Sequence, residues 1–277
     1  KKSGFDEINF QAREFARILE NAIVTESIKK DLYKIIRLKI ENDKKVGNAH
    51  IKILYPGSVI ENSNDSGLGS IGRIDHANIG GNVTIKMHPH INDDILSYFR
   101  TGHAVHTDSE GFQATVSRNK LMLMKAGKLF YHEETMPEPL EGLQIFIRPK
   151  SKDLKPEVVF QDLNETDSAD SWRLLASPTE QTQLQFSSET WIYDTKLTNG
   201  KTIEMPDLPK NELTGLLYVF QGNVVLNNGI NLLKGESVLF KNEQIDINAL
   251  ETSELVLFIT DENSEYYDGG MYSGNKH

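Results

Sequence analysis

Tyr218-Val219-Phe220-Gln221-Gly222-Asn223-Val224-Val225-Leu226-Asn227-Asn228-Gly229 reads as apolar strand, glycine turn, apolar strand and Asn-Gly turn, the pattern of successive hairpins. Leu233-Lys234-Gly235-Glu236-Ser237-Val238-Leu239-Phe240 follows as a turn feeding another strand. Short hairpins of this kind build jelly-roll barrels. The same texture extends outward from this stretch. Around it lie Leu184–Phe186, Trp191–Tyr193 and Leu255–Thr260. An earlier series comprises Val83–Met87, Ile95–Phe99, Ala114–Val116, Leu121–Met124 and Leu143–Ile147. Short strands punctuated by Gly, Asn and Asp predict antiparallel barrels rather than a parallel α/β sheet.

Between the two series, Asn164-Glu165-Thr166-Asp167-Ser168-Ala169-Asp170 is acidic and has no apolar period, as a surface linker would be. Before residue 50 the texture changes. Phe15, Ile18, Leu19, Ala22 and Ile23 recur at spacings of three and four, as do Ile28, Leu32, Ile35, Ile36 and Ile40. Both sets predict amphipathic helices, with Thr25 or Ser27 available as an N-cap. The expected organisation is all-β: a helical extension over 1–45, one jelly-roll barrel over 46–163 and a second over 164–277.

Composition narrows the function. The 277 residues include no cysteine, which excludes disulfides, thiolate metal sites and cysteine nucleophiles. A metal site must use His, Asp or Glu. The net charge is −10, with +4 over residues 1–55 and −14 beyond them. An acidic bulk of this kind argues against direct nucleic-acid binding, and the lysines of 1–45 are interleaved with acids. No apolar run approaches the roughly 20 residues of a membrane helix. The expected setting is cytoplasmic.

The eight histidines are His50, His76, His88, His90, His103, His106, His132 and His277. None lies between 132 and the last residue, so a His-based site belongs to the first barrel. His88-Pro89-His90 has i, i+2 spacing, which puts both imidazoles on one face of a strand. His132-Glu133-Glu134 repeats the phase 44 residues later, with His132 and Glu134 on a common face. Either pair alone is weak, because solvated or hydrogen-bonded histidines are common. Together they supply three imidazoles and a carboxylate, a set suited to Fe(II), Mn(II), Ni(II), Cu(II) or Zn(II).

These two segments also carry a resemblance. Met87-His88-Pro89-His90-Ile91-Asn92-Asp93-Asp94-Ile95-Leu96-Ser97-Tyr98 resembles the HPH-centred motif of the pirin family, whose members are two-domain cupins. Ala126-Gly127-Lys128-Leu129-Phe130-Tyr131-His132-Glu133-Glu134 resembles its second motif, Leu143–Ile147 with Pro149 its exit strand, and Leu174-Leu175-Ala176-Ser177-Pro178 the opening of its second cupin. The resemblance covers roughly residues 80–260. It implies one divalent metal ion, usually iron, on His88, His90, His132 and Glu134, and a metal-free second cupin. It implies Asp94 beside those ligands, where pirins commonly have Glu. Arg118-Asn119-Lys120 replaces the family's usual Pro-Gly-Asp turn, Leu129 replaces a glycine, and residues 1–45 have no counterpart.

For function, the resemblance implies a dioxygenase acting on a small aromatic substrate such as the flavonol quercetin, with Glu134 as general base. The alternative it implies is a non-catalytic, redox-responsive iron protein that binds a protein partner. A cupin that merely retains a metal structurally, or that binds a small acid, is the third reading. Oligomeric state is not legible. Other motifs carry less. Gly67-Leu68-Gly69-Ser70-Ile71-Gly72 matches GxGxxG, but no strand leads in and no helix is expected after it, so a flexible loop is predicted. His103 and His106 are expected at a solvated hairpin end, with a pocket rim as the alternative. Trp172 and Trp191 are read as packing residues.

Overall fold

Gly222, at φ +100, is a corner rather than a hairpin turn. The strands on either side of it, Thr214–Gln221 and Asn223–Leu226, lie in different sheets. A side chain at this corner would collide with Ser253, and only glycine takes the required left-handed conformation without cost. The Asn-Gly turn does close a hairpin, pairing Val225 with Asn231. The apolar runs were thus strands as predicted, but one connection between them wraps a barrel instead of pairing neighbours.

The computed structural model describes residues 33–36, 43–60, 63–241 and 244–276. Residues 35–277 form one unit and residues 1–34 another. The strands are β1 (Tyr33–Ile36), β2 (Asp43–Val46), β3 (Ala49–Leu54), β4 (Ile71–Ile79), β5 (Val83–His90), β6 (Asp94–Thr101), β7 (His103–Asp108), β8 (Gln113–Ser117), β9 (Lys120–Lys125), β10 (Phe130–Met136), β11 (Leu140–Ile147) and β12 (Glu157–Asp162). They continue as β13 (Arg173–Ser177), β14 (Leu184–Gln185), β15 (Thr190–Leu197), β16 (Thr202–Glu204), β17 (Thr214–Gln221), β18 (Asn223–Leu226), β19 (Asn231–Leu233), β20 (Ser237–Lys241), β21 (Asp246–Ala249) and β22 (Ser253–Thr260).

The first curled sheet runs β2-β3-β4-β11-β6-β9-β8-β7-β10-β5, with β12 added beside β9. The second cupin is built from β20-β17-β22-β15-β13-β14 and the smaller sheet β16-β21-β18-β19. The architecture is all-β, a tandem of cupin barrels.

The helical extension expected over 1–45 fails where it is described. Tyr33–Ile36 and Asp43–Val46 are strands, and the latter turns through Gly47, at φ +56, into β3. Isoleucine-rich runs with a spacing of three and four do not separate helix from strand when they are short, and β-branched side chains favour the strand. The rest of that segment lies outside the described residues.

Strand β6 is buried from Asp94 through Arg100 because both of its faces are covered. Leu96 and Tyr98 join Ile74, Leu143 and Ile145 against Leu216, Tyr218, Phe220, Val256 and Phe258 of the second cupin. Ile95 and Phe99 face the other way, into the first barrel, with Ala104, Val116, Met122, Met124, Met136 and Phe146. Each fully buried side chain of this kind stabilises by about 1.5–3 kcal/mol relative to exposure. Polar ties cross the same junction. The Tyr98 hydroxyl donates to Asp194 Oδ2 at 2.9 Å, and Asp194 also accepts from Arg173 Nε and Nη2 at 2.9 and 2.7 Å. Glu165, in the stretch read as a linker, accepts from Arg118 Nε at 2.9 Å.

Two further corrections concern β4. The GxGxxG stretch is not a flexible surface loop: Ser66 through Gly72 is buried, and Leu68 and Ile71 exchange backbone hydrogen bonds of 2.8 and 2.9 Å. The polar residues that follow it, Arg73, Asp75 and His76, belong to a strand because each has a partner there: Arg73 with Asp75, and His76 with Glu141 and Tyr218. The chain finally returns from the second cupin to the first. Met271 N–H donates to the Ile91 carbonyl at 2.9 Å, and Ser273 N–H to Asp93 Oδ1 at 2.8 Å.

Candidate metal centre

Antiparallel pairing of β5 with β10 sets His88 directly opposite His132 and His90 opposite Phe130. Residues opposite one another share a face, as do i and i+2, so three imidazoles are brought to one side of the two strands. Their ring centroids lie 4.5 Å (His88–His132), 4.9 Å (His90–His132) and 4.9 Å (His88–His90) apart. One nitrogen from each falls within 4.8 Å of the others, the geometry of a shared ion.

The outer nitrogens are individually oriented. His88 Nδ1–H donates to the Lys86 carbonyl at 2.9 Å. His90 Nδ1 faces the buried carboxylate of Asp93 at 3.8 Å. His132 Nδ1 lies 3.2 Å from His106 Nδ1. The Nδ1 atoms of His88 and His132 thus have hydrogen-bond partners behind them, the arrangement that fixes tautomers in metal sites, while His90 Nδ1 has only the more distant charge of Asp93. His132 Nε2 is buried with no partner, while His88 Nε2 and His90 Nε2 face each other at 3.0 Å. Two nitrogen lone pairs at that separation repel unless a cation or proton lies between them. The donor set fits a divalent metal.

Charge reinforces this. Burial, with the other imidazoles adding repulsion, drives the His132 pKa down to about 2, and burial also lowers His88 and His106. Lowered in this way, His88, His106 and His132 are held neutral at pH 7 and able to donate lone pairs.

Glu134 follows His132 by two residues on the same strand and is buried. An extra residue on β5 bulges between its two pairings, so Glu134 stands opposite Ile85. Its carboxyl lies outside the group of mutually close ligand atoms. Oε2 accepts from Gln144 Nε2 at 3.0 Å, Oε1 is buried without a partner, and burial raises the pKa to about 7. Asp94, expected beside the ligands, has Lys125 and Ser187 as its charged and hydrogen-bonding neighbours. Adjacent strand residues point to opposite faces, and it is Asp93 that reaches towards His90.

Three contributors were missed in sequence. His106, expected at a solvated hairpin end, is completely buried against His132 and stacked on Phe130. Its place in β7, opposite Glu134 of β10, follows only from the strand pairing. Gln144 reaches Glu134 from β11. Tyr272, from the returning C-terminal segment, sits 5.1 Å from the His90 ring. Only His106 had a local signal, as a further histidine near the two motifs. His103 is half-exposed and pairs with Glu138 at 2.6 Å.

A tandem of cupin barrels with a histidine cluster of metal-ligand geometry in the first defines the class: a bicupin with a candidate metal site in one domain. Residues 50–147 match the model of the Pirin family. A pirin-like protein of Caulobacter vibrioides is 30% identical over 184 residues, 65% of this chain and 78% of that protein. The chain belongs to the pirin family. It is also 28% identical, over 176 residues, to a quercetin 2,3-dioxygenase of Escherichia coli K12, covering 62% of this chain and 74% of that one. The crystal structure of the bacterial pirin YhhW from Escherichia coli, in complex with nickel(II), superposes with a TM-score of 0.72 at 21% identity, covering 83% of this chain and 99% of that one. Among the described residues, no helix is long and apolar enough to cross a membrane.

Proposed function

We propose that this bicupin is an Fe(II)-dependent dioxygenase acting on flavonol-like aromatic substrates, with His88, His90, His132 and Glu134 as the ligands. The observation that carries this reading is the convergence of one ring nitrogen from each of three imidazoles within 4.8 Å of one another, two of the rings being held by hydrogen bonds at Nδ1. A redox-active divalent ion supplies what side chains lack, the one-electron chemistry that lets triplet O₂ react with a closed-shell aromatic ring.

The chain's own residues do the rest. Glu134 Oε1, buried and without a hydrogen-bond partner, takes the substrate hydroxyl proton. Gln144 holds Oε2 and so aims Oε1. Met136, Phe146 and Phe130 line the barrel beside the site and exclude water. A cytoplasmic setting, where reductants keep iron ferrous, belongs to the same reading.

Support comes from the relatives named as quercetin 2,3-dioxygenases, such as that of Escherichia coli K12. The test is anaerobic loading with iron, then oxygenation with quercetin while its flavonol absorbance is followed. Metal-dependent loss of the band is expected; an unchanged band rules out this substrate.

One observation favours the second reading, a regulator that docks a protein partner. Met87, Ile91, Leu129 and Tyr131 are exposed apolar residues flanking the ligand motifs, with Tyr131 paired opposite Pro89. Co-purification of partners with the ferrous and ferric forms tests it, and identical partners in both forms remove the switch.

A further inference from the structure

After β22 the chain leaves the second cupin, and residues 270–276 lie against the first, beside the histidine cluster. The glycine-rich stretch ahead of β4 forms part of their seat. Gly72 meets Ser273 so closely that a side chain there would overlap its backbone, and Gly270 fits in the same way under the Asn92 carbonyl and Asp93. Arg148 Nε donates to the Ser273 carbonyl at 2.9 Å, and Lys276 N–H to Ser66 Oγ at 3.0 Å. With the Met271 bond to Ile91, these contacts fix the segment on both sides.

Asp93 is what the segment grips. Its carboxylate is completely buried, and a buried charge is costly unless hydrogen bonds replace its water. Among the described residues, those bonds come only from Tyr272 and Ser273. Oδ1 accepts from Ser273 N–H at 2.8 Å and from Ser273 Oγ at 2.7 Å. The Tyr272 N–H is shared between Oδ1 and Oδ2, at 3.1 and 3.0 Å. The donors therefore crowd Oδ1, and Oδ2 is the oxygen that faces His90 Nδ1 at 3.8 Å. That nitrogen is buried and has no hydrogen-bond partner of its own. The Tyr272 ring lies against the same imidazole. A neutral imidazole carries one proton, and an anion beside Nδ1 draws it there. The Nε2 lone pair, beside His88 Nε2, is then left for an ion.

We propose that Tyr272 and Ser273 complete the metal centre by holding Asp93, and that Asp93 in turn sets the tautomer of His90. All three are positioning residues: they act through the ring and do not touch the ion. The inference rests on the histidine cluster as a metal site and is independent of the reaction performed there.

Two measurements on the full chain test it: Ni(II) affinity, by competition with a chromophoric chelator, and the His90 tautomer, by nitrogen NMR of the imidazoles in metal-free protein. The native chain is expected to bind Ni(II) and to carry the His90 proton on Nδ1. Asp93→Asn keeps the shape of the side chain. Its amide oxygen takes the donors of Tyr272 and Ser273, its NH₂ turns to His90, and the ring proton moves to Nε2. Affinity should fall by about 10–100-fold. Ser273→Ala keeps both backbone donors, so a mixture of tautomers and a smaller loss, under about tenfold, are expected. A purely structural Asp93 would lower the unfolding midpoint and leave the tautomer alone. The proposal is overturned if Asp93→Asn binds Ni(II) as tightly as the native chain, or if its His90 stays protonated at Nδ1. A native chain that takes up no Ni(II) overturns it together with the metal site, whereas native uptake with an unchanged Asp93→Asn overturns this role alone.

Discussion

His106 Nδ1 stands 3.2 Å from His132 Nδ1, so an imidazole from β7 orients an imidazole of the histidine cluster on β10. Both rings are buried. The hydrogen on the shared edge leaves His132 Nε2 as the lone-pair donor when His132 supplies it. His106 thus sets which nitrogen of His132 meets an ion.

Replacing His106 with Ala should weaken metal binding by about 10–100-fold, the usual effect of losing an outer partner of a ligating histidine. Competition with a chromophoric chelator measures it. Affinity equal to that of the native chain would show that His132 needs no orienting partner.

His132→Ala removes one ligand outright. Elemental analysis should show about one metal ion per chain in the native protein and close to none in the variant. Chelation should lower the unfolding midpoint of the native protein only, because an ion that binds the folded state alone stabilises it, by about 2.7 kcal/mol at a hundredfold excess over Kd. A variant that keeps its metal would remove His132 from the ligand set.

Asp94 gives a pH dependence of definite sign. Burial raises its carboxyl pKa from 3.8 to about 7 in the folded chain. The folded state therefore binds this proton more tightly than the unfolded one. The associated stability is complete below about pH 4 and is lost as pH rises through 7. In metal-free protein, denaturant midpoints of Asp94→Asn should fall less than those of the native chain between these limits. Parallel curves would show that Asp94 is ionised in the folded protein.

At the junction of the barrels, Tyr98→Phe deletes the hydroxyl that donates to Asp194. Asp194 keeps both Arg173 bonds, so the expected loss is about 1.5–3 kcal/mol, the range for one hydrogen bond to a charged group. Urea unfolding with an unchanged m-value would measure it; a neutral substitution would mean that Arg173 alone satisfies the carboxylate.

Strand identity was legible wherever an apolar run was bounded by turn residues: Ile95–Phe99, Leu216–Phe220 and Leu255–Thr260 all lie within strands. It failed at β4 and β7, whose polar residues break the run. His76 and His106 are buried there only because partners from other strands satisfy them. Towards the N-terminus, Ile35 and Ile36 were assigned to a helix and lie in a strand, since their spacing is compatible with both.

The amino-acid order alone determined that His88 and His90 share a face, and that His132 and Glu134 share another, because side-chain alternation is a property of any single strand. Tertiary structure decided that these two faces coincide, through the pairing of His88 with His132. It also decided which acid lies behind His90 and which imidazole lies behind His132. Contacts between strands depend on register and on how the barrels close, and neither is encoded within reach of a local window.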